Sequence, residues 1–439
     1  MKSIACIATA ALLAAGAAPA STPRVTCRID TDRDVLLADT SQRAVIKVSL
    51  RGAELASPRE RPPVNLAIVL DRSGSMSGDK IERARDAAVE ALRRLDGRDR
   101  FSLVMYDHEV ETLVPSQFAS NAEWIEDRIR SIRSRGNTAL FAGVSQGAAE
   151  VRKHVESRAY VPRILLLSDG LANVGPSSPE DLGRLGAALL KEGIAVSTVG
   201  VGTDYNEDLM TRLSQQSDGN AYFAATSADL RRIFNAELGS VLNVVARQVV
   251  IEIVCDEDVR PLRIIGREGR IRGNRVELTL NQIYGGQEKY ALIEVEVPAS
   301  GAGARRPLAT ATCRYEDALT QRADRADASV SVRFSREQED VDRSVRPAVT
   351  IEIARNAAAL ARDEAIGLND KGQNKEAQDA LTLESARLRA LGEKYKLPDV
   401  VREAEALEAA APALAQPLAP AARKGMRTDN YQIYNQQMQ

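Results

Sequence analysis

From residue 64 onward the chain alternates unbroken apolar runs with stretches of helical period. VNLAIVLD (64–71), FSLVMYD (101–107), RILLLSD (163–169) and IAVSTVGVG (194–202) are apolar at successive rather than alternate positions, which predicts buried strands. Helical periodicity fills the gaps at about 79–95, 121–131, 140–155, 207–216 and 228–242, with the short run AYFAA before the last. Strands apolar on both faces and separated by helices predict a doubly wound, mainly parallel sheet. EVETLV (109–114) follows its predecessor after a turn too short for a crossover, so it is expected as an antiparallel edge strand. Asp79 with Glu82 reads as a capping box, and Ser178-Pro179-Glu180-Asp181 as a helix start.

After residue 244 the apolar period changes to two. Val249, Ile251, Ile253 and Cys255 share one strand face, as do Val276, Leu278 and Leu280. Ala291 to Val297, Ala309 to Tyr315 and Val330 to Phe334 repeat the pattern. Five such strands predict a β-sandwich. Val25, Cys27, Ile29, Ile46, Val48 and Leu50 have the same character, so residues 21–60 are expected to pair into that sandwich, with the α/β unit inserted between its parts. The expected division is 61–243 for the α/β unit, 244–335 for the sandwich, 345–396 for an alanine-rich helical hairpin, and 397–439 for a linker and flexible polar tail.

The first 20 residues carry Lys2, an apolar stretch and Ala18-Pro19-Ala20, the pattern of a secretory leader cut after Ala20. The mature chain is therefore expected to be exported, to the periplasm or the cell surface, with no transmembrane segment. A formal net charge of −2 and an aromatic content of 4% give no basis for a nucleic-acid partner. Two histidines in 439 residues leave little for zinc or histidine-based catalysis. Cys255 and Cys313 are the first candidates for a disulfide between sandwich strands, with Cys27 as an alternative partner to either.

The chemistry concentrates at the ends of the apolar runs. In an open parallel sheet, ligands bind beyond the carboxyl ends of the strands. Asp71 ends the first strand, with Ser73 and Ser75 in the turn after it; Asp169 ends another; Thr138 lies in the loop GNTAL before a helix. Two carboxylates placed together repel unless a cation intervenes. A hard divalent cation suits an all-oxygen set, with the hydroxyls as direct ligands and the aspartates holding bound waters. Neutral direct ligands leave charge on the cation for a carboxylate supplied by a partner.

DRSGS (Asp71, Ser73, Ser75), Thr138 of GNT and Asp169 of SDG resemble the metal-ion-dependent adhesion site of von Willebrand factor type A domains, and all five positions match. GVGTDYNEDLM (200–210) resembles a stretch typical of bacterial members, and the flanks resemble exported bacterial proteins described as calcium-activated chloride channel-like. The resemblance covers about 60–240. It implies a Rossmann-like α/β domain and a Mg2+ site, with Mn2+ or Ca2+ as alternatives. It also implies a non-enzymatic binding module for a protein ligand presenting Asp or Glu. Gly136, Asn137, Gly170 and Asp204 are the candidate partner contacts, although Asp204 and Asn206 also read as the turn and cap of the following helix. An envelope scaffold with a mainly structural ion is the alternative reading, and a metal-assisted hydrolase ranks below both.

Overall fold

The computed structural model describes residues 23–55, 57 and 60–437; the leader expected at 1–20 lies outside them. The described residues open with β1 (Val25–Thr31), β2 (Val35–Leu37) and β3 (Gln42–Gly52). It then enters the α/β unit through β4 (Val64–Asp71), α1 (Asp79–Arg93), β5 (Arg100–Tyr106), β6 (Val110–Phe118), α2 (Ala122–Arg130) and α3 (Leu140–Arg152). The unit continues through β7 (Val161–Ser168), α4 (Pro179–Lys191), β8 (Ala195–Val201), α5 (Glu207–Ser217), β9 (Ala221–Ala224) and α6 (Leu230–Val241). Its sheet runs β6-β5-β4-β7-β8-β9, parallel throughout except for the antiparallel edge strand β6.

Successive apolar residues are needed because this sheet is covered on both sides. Along β4, Leu66, Ile68 and Leu70 face a core shared with α1, α2 and α6, while Ala67 and Val69 face α3, α4 and α5. Each large aliphatic side chain buried this way contributes about 1.5–3 kcal/mol. Ser178 caps α4 by accepting from the Asp181 amide. The capping box at Asp79 is corrected: α1 starts at Asp79 itself, after Gly78 at φ 73°. The Asp79 carboxylate instead accepts from Ser227 and Arg83.

Beyond the α/β unit come β10 (Val244–Cys255), β11 (Arg260–Ile265), β12 (Arg270–Arg272), β13 (Arg275–Tyr284), β14 (Glu288–Val297), β15 (Arg305–Asp317) and β16 (Ala323–Ser335). They form two facing sheets, β1-β3-β14-β11 and β12-β13-β10-β15-β16-β2. The opening strands therefore belong to the sandwich, through β3 against β14 and β2 against β16, and the α/β unit is an insertion between them. The Cys255–Cys313 bridge is corrected, since Cys27, Cys255 and Cys313 are free thiols. On neighbouring β10 and β15, Ile251 opposes Cys313 and Cys255 opposes Ala309. That register separates the two sulfurs by roughly 13 Å along the strands, well beyond disulfide reach.

After α7 (Gln338–Arg343), α8 (Pro347–Asp370) and α9 (Asn374–Lys394) form the hairpin. The expected linker and flexible tail is corrected, because α10 (Pro398–Ala410) and α11 (Pro420–Asn435) occupy it. The physical reason lies at the open sheet edge left by β9. The Tyr431 hydroxyl and the Asn435 amide donate to the Gly219 carbonyl at 2.6 and 2.8 Å, and Gln437 accepts from the Ala221 amide at 3.1 Å. Polar residues that read as solvated instead satisfy backbone groups of a distant segment. Among the described residues, no helix is long and apolar enough to cross a membrane.

Candidate metal centre

Strand β4 delivers Asp71 to the carboxyl edge of the sheet, and the chain then turns through DRSGSM into α1. Asp71 is fully buried. Its Oδ1 accepts from the Ser73 amide at 2.8 Å and its Oδ2 from the Ser168 hydroxyl at 2.6 Å. This aspartate thus folds its own turn and ties it to β7. Burial pushes its carboxyl up to about 6, against the lowering effect of the Ser168 and Ser73 hydrogen bonds; Asp169 adds repulsion. An approaching cation would reverse that penalty.

Ser73 and Ser75 lie with their hydroxyl oxygens 3.0 Å apart, and Ser75 Oγ donates to Asp169 Oδ1 at 2.8 Å. Asp169 immediately follows β7 and is fully buried. Thr138, in the loop before α3, is held by its neighbours: its amide donates to Asn173 Oδ1 at 2.9 Å, and its carbonyl accepts from the Asn173 and Val174 amides. The DRSGSM turn and the 135–138 loop are stitched together by Gly74 N–H to Gly136 O at 3.0 Å and Arg135 N–H to Arg72 O at 2.6 Å.

Gly170 shows where these oxygens point. A Cβ added there would lie 3.1 Å from Thr138 Oγ1, 3.4 Å from Ser75 Oγ and 3.7 Å from Ser73 Oγ. Three hydroxyls from two loops therefore face one small cradle, kept clear by a residue without a side chain. The donors are all oxygen, with two carboxylates behind three neutral groups, and such a set fits Mg2+, Mn2+ or Ca2+ rather than a thiophilic metal. Ser73, Ser75 and Thr138 would hold the cation directly, with Asp71 and Asp169 behind them.

The other candidate contacts fall on the rim. Gly136 and Asn137 are exposed in the loop before Thr138. Gly136 has φ 75°, and a Cβ there would meet His108 Nδ1 at 2.3 Å, so the loop can follow this path only with glycine. Asp204 is exposed on the loop after β8, while Asn206 caps α5 by accepting from the Leu209 amide at 3.0 Å. Gly170 forms the cradle itself, and Leu171 beside it is 58% exposed.

Sequence reasoning missed the groups that hold this arrangement. Asp107 accepts from buried Arg72 at 2.8 Å and from Arg135 at 2.9 Å, fastening both loops. Ser168 and Asn173 orient Asp71 and Thr138. Lys80, in the first turn of α1, places Nζ 2.5 Å from Asp169 Oδ2. The one available signal was adjacency: Arg72 and Ser168 lie inside the DRSGS and SDG motifs themselves.

The von Willebrand factor type A domain model matches residues 65–236. A Synechocystis protein is 28% identical over 219 residues, 48% of this chain and 51% of its own length. YfbK of Escherichia coli is 29% identical over 232 residues, 52% of this chain and 40% of its own. The chain thus spans about half or less of these curated relatives. The structure of a von Willebrand factor type A protein from Catenulispora acidiphila superposes with a TM-score of 0.69 at 15% identity, covering 90% of this chain and 97% of that one. The likeness of fold extends past the α/β unit into the sandwich and helices. Together with the parallel sheet and the strand-end motifs, the match establishes that residues 65–236 of this chain are a von Willebrand factor type A domain.

Proposed function

We propose that this chain is an exported, non-enzymatic binding module. It holds a divalent cation at Asp71, Ser73, Ser75, Thr138 and Asp169 and captures an Asp or Glu side chain of a protein partner. The observation that carries this reading is the cradle at Gly170, where three neutral hydroxyls face one point with two buried carboxylates behind them. Such a donor set holds a hard cation without cancelling its charge, and an incoming carboxylate completes the balance. Gly136, Asn137 and Asp204 would border the guest, with exposed Leu171 giving the rim an apolar edge. Export is supported by the leader pattern of residues 1–20.

The test is a Mg2+-dependent pull-down from envelope extract using the full mature chain, with chelator and Asp71→Ala as controls. Capture should vanish in both controls while the variant keeps its folded circular-dichroism spectrum. Capture that survives chelator contradicts the reading.

A further inference from the structure

Lys80 supplies a fixed positive charge inside the site. Its Nζ lies 2.5 Å from Asp169 Oδ2, with the lysine side chain 29% exposed and the aspartate side chain fully buried. The two oxygens of Asp169 are thus divided: Oδ1 takes the Ser75 hydroxyl and Oδ2 takes the ammonium. The position is built from two sides. Helix α1 carries Lys80 five residues past Ser75, and Gly202, on the loop after β8, faces it closely enough that an added Cβ would come within 3.8 Å of Nζ.

We propose that Lys80 is a built-in counter-cation that sets how tightly the site holds a divalent cation when no partner is present. The inference rests on the metal-site reading above. Asp71 and Asp169 together offer two negative charges, and Lys80 cancels one of them. A dication entering the cradle therefore meets about half the net attraction, because repulsion from the ammonium offsets the pull of one carboxylate. The effect is large because solvent screens a buried aspartate and its partly buried lysine poorly. A partner's carboxylate restores the missing negative charge. Cation and partner then raise each other's affinity by the same factor, as linkage requires. Lys80 thereby makes cation retention conditional on an acidic guest, which turns a constitutive metal site into one that closes on capture.

The experiment titrates Mn2+ calorimetrically into the full chain without partner and compares wild type, Lys80→Met, Lys80→Arg and Asp71→Ala. Lys80→Met should bind Mn2+ about tenfold tighter or more, and Lys80→Arg, which keeps the charge, should stay near wild type. Metal-free Lys80→Met should also melt at a lower temperature, because Asp169 is left buried and unpaired, and Mn2+ should restore it. Lys80→Met binding Mn2+ no tighter than wild type, or melting unchanged without metal, overturns the counter-cation role. Wild-type Mn2+ affinity in Asp71→Ala would instead overturn the metal-site reading itself, and this inference with it.

Discussion

Gly170 and Gly136 carry as much of the site as the residues with oxygens. Gly170→Ala places a methyl against Thr138 Oγ1 and Ser75 Oγ with no positive φ to strain. It should weaken Mn2+ binding by at least about tenfold, or 1.4 kcal/mol, with the melting temperature nearly unchanged; calorimetry and a thermal melt check both. Gly136→Ala differs, because its φ of 75° adds strain to the clash with His108. It should cost about 1–2 kcal/mol of stability, read by urea denaturation. At this scale the convergence of Asp71, Ser73, Ser75, Thr138 and Asp169 was legible, because hard-cation chemistry would demand such residue types at strand ends and the fold brings those ends together. Lys80 was not, since an ammonium on an amphipathic helix looks the same in sequence whether it faces water or a carboxylate. Asp107 was hidden for a related reason: nothing along the chain reveals that Arg72 and Arg135 converge on it.

Among the elements, α11 departs most from expectation, and its contacts explain why. Tyr431, Gln432, Asn435 and Gln437 reach backbone groups at Gly219 and Ala221, on the sheet edge that β9 leaves open. Composition reports that such residues are polar, not what they bond. Tyr431→Phe should cost about 1 kcal/mol in urea unfolding. Lys289, on β14, gives this docking a pH dependence. Its buried Nζ donates to the Asn435 carbonyl at 2.7 Å. Burial, the largest effect, lowers it to about 7; Asp218 opposes this, Arg267 and Arg163 add to the lowering, and Glu237 opposes it. An unfolded lysine keeps its proton to above pH 10. Between about 7 and 10 the unfolded chain therefore holds the extra proton, so stability rises with pH across that window, and the destabilisation is fully present below about 7. The urea midpoint should climb from pH 7 to 9 in wild type and climb less in Lys289→Met. Equal slopes would show that Lys289 titrates alike in both states.

Across the whole molecule, the inserted domain is joined to its host by buried charge. Arg163 of β7 is fully buried and donates to Gln282 Oε1 and Tyr284 Oη, both at 2.6 Å, on sandwich strand β13. It also lies 3.4 Å from buried Glu237 on α6. Arg163→Met leaves Glu237 without its counter-charge and should cost about 3–5 kcal/mol, measured by urea unfolding. Adding Glu237→Gln should recover part of that loss. The insertion itself was legible, because apolar residues at period two appear on both sides of a block with period-free apolar runs. Strand β12 was not, since its residues are all exposed and leave no alternation to read. The Cys255–Cys313 pairing failed on register, which cross-strand packing decides and spacing along the chain does not.

The most direct test is anomalous diffraction from crystals of the protein soaked in Mn2+. The account predicts a single strong peak in the cradle beside Gly170, about 2.1–2.2 Å from Ser73 Oγ, Ser75 Oγ and Thr138 Oγ1, absent from crystals of Asp71→Ala. A peak elsewhere, with none within ligand distance of those three hydroxyls, would contradict it.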